Sequence, residues 1–281
     1  MQLLASNSGK RRTEQVYVLW FLLTAPVQLL VTNHLSYTHY NDRILIPMAV
    51  VMGLGTLVLP VIFRAESDKG RPLQDLYAVR MGSFLVVWAM IGGFVGTDPW
   101  YEVLKGHFAF NTEFNPNGVP FFMLPMTVAV FAAYSVILGT LYRVVVQLAE
   151  RAGGLIARDT WWRHGILILI LAPLMPLVET SVYVSHNYCF DPGPGKWGLN
   201  LLIYGSWHLS ALLFYPRFDR TEGERTPWID VFVRAFATVG VIVFLMAMTK
   251  TAVAPHFTHV DHGAQFVNDW SANNCLGVKP K

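Results

Sequence analysis

A chain of 281 residues with 53% hydrophobic and 14% charged side chains, at a mean hydropathy of +0.40, carries far less charge than the roughly 25% of soluble domains. It falls among all-α polytopic membrane proteins. The formal charge of +3 is not gathered into a patch, which argues against nucleic acid as a partner.

Windows of about 20 apolar residues mark seven spans in one membrane domain covering residues 1–281. They run near 16–36, 44–63, 81–98, 119–142, 164–185, 198–215 and 230–253. The leading MQLLASNSGKRRTEQ is polar and basic, and the apolar run after it is too long for a signal peptide, so that run reads as the first span. Lys and Arg then alternate between sides. Fifteen fall in the N-terminus (Lys10, Arg11, Arg12) and in the connectors after the second, fourth and sixth spans, against six on the other side. Because cytoplasmic segments carry the excess, the N-terminus is expected in the cytoplasm and the C-terminus opposite. Trp100, Tyr101, Trp161, Trp162, Trp197, Trp228 and Trp270 fall near span ends, where an aromatic belt is expected.

The third span ends at Asp98, with Glu102 just beyond a Pro-Trp pair. These two carboxylates can serve as a base at a pocket mouth or as ordinary interfacial groups. The fifth span holds the most expensive residue of the chain, Glu179, where a charge costs about 2.5–3.5 kcal/mol. Pro173 and Pro176 precede it and remove the backbone hydrogen bonds to the carbonyls of Leu169 and Ala172. Pro176, Glu179, Tyr183 and His186 recur at helical spacing, so they can line one face as a proton relay with Glu179 as acid or base.

The sixth span carries His208 beside Trp207, the pattern of a core histidine as well as of a pocket group. The seventh carries Lys250 near its outer end, an interface anchor, a partner for Glu179, or a Schiff-base lysine of retinal type. Tyr77, Tyr183, His186, His208 and Lys250 are the candidate substrate-binding groups. His256, His259 and His262 lack a zinc-site pattern, so no metal is expected. Walker-type, Gly-x-Ser-x-Gly and paired CxxC motifs are missing, and no cofactor is expected. Cys189 and Cys275 both fall on the far side, and their spacing leaves open whether they are bridged.

The order of several short motifs resembles the cycloeucalenol cycloisomerase family over nearly the whole chain. They are SGKRRTE, Pro26, Leu59-Pro60 through Phe63-Arg64, Asp75-Leu-Tyr77-Ala-Val79-Arg80, and Asn117-Gly-Val119-Pro120. Glu179-Thr180, FYPRFD with Arg217 and Asp219, Trp228, Lys250 with Pro255, and Asn274-Cys275-Leu276 complete the series. Histidines of the plant members after the Val-Pro pair in the fourth span are matched here by Phe121, Val128 and Ser135, and an Asn and a His near the end of the third span by Phe94 and Pro99. The resemblance implies a sterol isomerase that opens a 9β,19-cyclopropane ring, with a membrane-dissolved sterol or related lipid as its partner. It implies the endoplasmic reticulum in a eukaryote or the inner membrane in a bacterium. Glu179 would be the acid and Asp98 or Glu102 the base, with aromatic faces stabilising the cation. The competing reading is a non-catalytic seven-helix receptor for a lipid or for retinal.

Overall fold

Side chains write the first helix boundaries. Asn7 caps α1 (Ser8–Leu29) by accepting from the Lys10 amide, and Asn41 caps α2 (Asp42–Ile62) by accepting from Arg43, with Asp42 in the first turn. The computed structural model describes residues 3–30, 41–104, 106–108, 110, 112–153, 161–182, 188–189 and 196–254. The third apolar stretch is one rod in three parts: α3 (Tyr77–Val86), a π-helical turn (Val87–Ile91) and α4 (Gly92–Leu104). After α5 (Met123–Ala152), Gly153 takes a positive φ of 74° and stops the helix.

Pro173 and Pro176 do what their chemistry requires. α6 (Trp161–Leu171) ends, Ala172 and Pro173 form a turn, and α7 (Leu174–Val182) restarts. α8 (Lys196–Leu212) and α9 (Trp228–Met248), continued by a second π-helical turn (Thr249–Val253), complete the described helices. A two-residue antiparallel pair, β1 (His107–Phe108) with β2 (Tyr188–Cys189), ties the loop after α4 to the loop before α8. Periodicity over such short segments is too weak to announce a strand. The pairing places both loops at the same end of the bundle.

Among the described residues, five stretches are long and apolar enough to cross a bilayer: Asp42–Ile62, Tyr77–Thr97, Pro116–Ala152, Trp161–Glu179 and Trp228–Val253. α1 and α8 lie where the first and sixth spans were expected, but α1 opens on a charged turn and α8 has 17 residues. A crossing by either, like a cytoplasmic N-terminus, therefore rests on the Lys and Arg asymmetry alone. Leu22, Leu23, Val58, Val233, Phe236 and Phe244 are exposed on outer helix faces, as lipid contact demands. Polar residues such as Thr56, Asn200, Ser210 and Thr238 are turned inward and almost fully buried. Trp100 departs from the expected belt, since it is 1% exposed and packs in the core, whereas Trp161 is 84% exposed.

α5 packs against α1 and α2, and α9 against α3, α4 and α8. Gly53 lets α2 approach α5 closely: a Cβ there would sit 2.6 Å from the Pro125 carbonyl oxygen. At the end where α1 begins, two motifs of the resemblance meet. Arg80, within DLYAVR, is ion-paired to Asp219 of FYPRFD, both 3% exposed. Asp75 accepts from Arg225 at 3.1 Å. The second oxygen of Asp219 accepts from the Thr226 amide at 2.8 Å. The segment ahead of α1 straps across this end. Ser6 donates to the Arg220 carbonyl at 2.8 Å, Asn7 to that of Thr221 at 3.0 Å, and the Ser8 amide to Glu222 at 2.8 Å. The Ser8 hydroxyl also donates to Glu222 at 2.8 Å, and together with the amide it holds the Glu222 carboxyl below its usual range.

Candidate functional site

His208 sits on the inner face of α8, fully buried, and neither ring nitrogen has a hydrogen-bond partner. Its surroundings are aromatic. Ring centroids lie at 5.9 Å for Trp88, edge to face, 5.4 Å for Phe131 and 5.5 Å for Tyr134. Phe131 and Tyr134 are three apart on α5 and so share a face. Trp88 comes from the π-helical turn, whose wider winding changes which residues face inward, and such turns recur at functional sites. Trp88 also touches Phe131 at 4.5 Å and stacks on Tyr215 at 6.2 Å. A buried polar group without a partner costs about 1–3 kcal/mol. An imidazole kept in such a place is a functional candidate.

One indole away, toward the basic end, lies a small polar cavity. Lys10, Glu14, Tyr17, Tyr77, Ser135, Arg143 and Tyr215 line it. Arg143 grips Glu14 with both guanidinium arms at 2.9 and 3.0 Å. The strap closes over this pair, the Ala5 amide donating to Glu14 at 3.0 Å and Arg143 Nε to the Leu3 carbonyl at 3.1 Å. Lys10, ahead of the apolar part of α1, donates to the Phe218 carbonyl at 2.5 Å and lies over the Tyr77 ring. Burial pulls its ammonium down to about 8, with Glu14 opposing that shift. The Tyr17 and Tyr215 hydroxyls have no hydrogen-bond partner.

The residues singled out from sequence do not form one site. Tyr77 opens α3 at the basic end, and Glu102 stands 25 positions later on the same rod. That is about 37 Å away at 1.5 Å per residue. Lys250 is ion-paired to Glu102, both partly exposed, so its partner is Glu102 and not Glu179. Glu179 stands on α7, half-buried, with one carboxylate oxygen buried and without a hydrogen-bond partner. α7 packs on α8 and brings Glu179 within electrostatic reach of Tyr204. Tyr204 lies one turn from His208 on the same helix. Asp98 is placed in α4, but its side chain, like Tyr183, His186, His256, His259, His262 and Cys275, lies outside the described residues.

The ring wall of Trp88, Phe131 and Tyr134 escaped sequence reasoning because aromatics in apolar spans are ordinary. The Glu14–Arg143 pair escaped it because both residues read as topology signals. A carboxylate and a lysine in the opening turns of the first helix, just ahead of its apolar run, were the available clue.

Together these features define an α-helical, multi-pass membrane protein with polar and titratable groups inside its bundle. No family model matches the chain, and no solved structure matches it. The chain is similar to cycloeucalenol cycloisomerase of Arabidopsis thaliana, with 21% identity over 256 residues that cover 90% of this chain and 89% of that protein. This is a distant relationship spread over almost the full length of both.

Proposed function

We propose that the protein is a membrane sterol isomerase that opens a 9β,19-cyclopropane ring, converting a cycloeucalenol-type sterol into an obtusifoliol-type one. The observation that carries this reading is the near end-to-end similarity to cycloeucalenol cycloisomerase. The buried imidazole among aromatic rings supports it.

The chemistry needs an acid, a cation-tolerant wall and a base. Glu179 donates its proton to the bridging methylene, the bond from that carbon to the ring carbon breaks, and a tertiary cation forms. The faces of Trp88, Phe131 and Tyr134 stabilise the positive charge in a water-free setting. His208 takes the proton from the neighbouring ring carbon, and the electrons of that bond close the double bond. The carboxylate and imidazolium left behind exchange a proton before the next turnover. His208 takes the base role in place of Glu102, which is taken by Lys250. The retinal reading gains nothing from a lysine tied in that way. His208 is enclosed in this structure, so substrate entry from the bilayer requires the helices around it to part. Such motions run on the μs–ms scale.

The test is expression in a host fed cyclopropyl sterols, with the extracted lipids analysed for ring-opened product. Ring-opened sterol that depends on the intact protein is expected. A folded, membrane-inserted protein that leaves the cyclopropane untouched overturns the proposal.

A further inference from the structure

The cavity at the basic end has no place in the ring-opening steps, yet it is built as a site. Tyr17 and Tyr215 are 2% and 3% exposed, both line it, and both hydroxyls lack hydrogen-bond partners. A residue that needs only an aromatic ring there would be phenylalanine, since a buried hydroxyl without a partner is costly. The space left in the cavity takes about one water-sized group. Gly139 lines it as well, where a Cβ would stand 3.5 Å from an Arg143 guanidinium nitrogen and 3.8 Å from the Tyr215 ring.

Charge decides what kind of group belongs there. Both arms of Arg143 are committed to Glu14, and Lys10 is committed to the Phe218 carbonyl. An anion would find the cations occupied and the Glu14 carboxylate beside it. A neutral hydroxyl both donates and accepts, which suits two phenolic oxygens that do the same. The strap seals the cavity on the side of the loops: Ala5 is 3% exposed and bonded to Glu14. The opposite wall is the Tyr215 ring, stacked on Trp88, which in turn abuts His208.

We infer that this cavity is the subsite for the 3-hydroxyl of a sterol, held between the Tyr17 and Tyr215 hydroxyls. Tyr215 and Trp88 fill the path from the cavity to His208 in this structure, so the ring system of that sterol reaches His208 once those two rings swing aside. The inference rests on the sterol reading above and adds the group by which the substrate is anchored. A membrane sterol carries its hydroxyl at headgroup depth and its rings deeper, the same order in which polar cavity and aromatic wall are stacked here. Tyr17 and Tyr215 are positioning residues, because they set which ring carbon faces the acid and base.

The experiment uses the full-length protein in lipid nanodiscs, titrated with a tritiated cyclopropyl 3β-sterol and with its 3-deoxy counterpart. Ring opening is measured in the same samples. The wild type is expected to bind the hydroxylated sterol at least about tenfold more tightly. Tyr17→Phe and Tyr215→Phe each narrow that preference by about fivefold, and the double variant erases it while binding the 3-deoxy sterol unchanged. Unchanged 3-deoxy binding also reports an intact fold. A double variant that keeps the full preference overturns the inference, as does a wild type that binds both sterols equally, which leaves the cavity to a structural water. The two readings fail separately. Hydroxyl-dependent binding without turnover sinks the isomerase and keeps the subsite. Turnover with hydroxyl-independent binding sinks the subsite and keeps the isomerase.

Discussion

At the basic end, buried charge is matched by buried partners: Arg80 with Asp219, Arg143 with Glu14, Lys10 with a backbone carbonyl. One indole deeper, His208 is just as buried and has no hydrogen-bond partner on either nitrogen. Paired groups of the first kind hold parts together, here the strap, the loop after α2 and the loop after α8. A group of the second kind adds nothing to stability and is kept for what it does. The contrast separates architecture from chemistry within one bundle.

The contrast breaks most visibly if His208 proves structural. His208→Leu is expected to cut the rate of ring opening by about 10²–10⁴-fold while the melting temperature in detergent holds or rises. Product formation and thermal melting on the same preparation check both halves. Glu179→Gln, which keeps shape and removes the proton, is expected to lose activity to a similar extent, about 10²–10⁴-fold. Wild-type turnover by that variant would return Glu179 to a structural role.

Arg80→Met is expected to do the opposite, costing about 3–5 kcal/mol of stability by stranding the Asp219 carboxylate. Pairing it with Asp219→Leu should restore much of the loss, measured by denaturation in detergent. A smaller effect concerns pH. Lys10 titrates near 8 when folded and near its ordinary value of 10.5 when unfolded. Below pH 8 both states hold the proton and the burial cost is fully present. Between those two values the unfolded chain holds more protons, so stability rises with pH. Melting curves across that window should show the rise in the wild type and lose it in Lys10→Met. Smaller again, Asn7→Ala should cost about 1 kcal/mol by removing the α1 cap. Glu102→Gln, at the partly exposed pair with Lys250, should cost under about 1 kcal/mol.

Much of the framework was legible in the residues. Apolar runs marked every described α-helical stretch and the proline pair marked the break between α6 and α7, whereas α5 runs past the expected span end near 142 to Ala152, where Gly153 stops it. These signals are local: hydropathy, a missing amide proton and a backbone without a Cβ act within a turn or two of where they are written. Glu179 was legible in the same way, as a carboxyl in oily surroundings. The π-helical turns, and with them the inward placement of Trp88, were not, because the winding of a helix responds to what it packs against.

Partner choice belonged to the fold. Lys250 went to Glu102 rather than Glu179, Arg80 found Asp219 across 139 positions, and His208 was enclosed by rings from α5 and the π-helical turn. Hydropathy states that a helix is buried but not how it is rotated or how deep each turn lies. Those two quantities, settled only when the helical stretches pack together, decide which side chains meet.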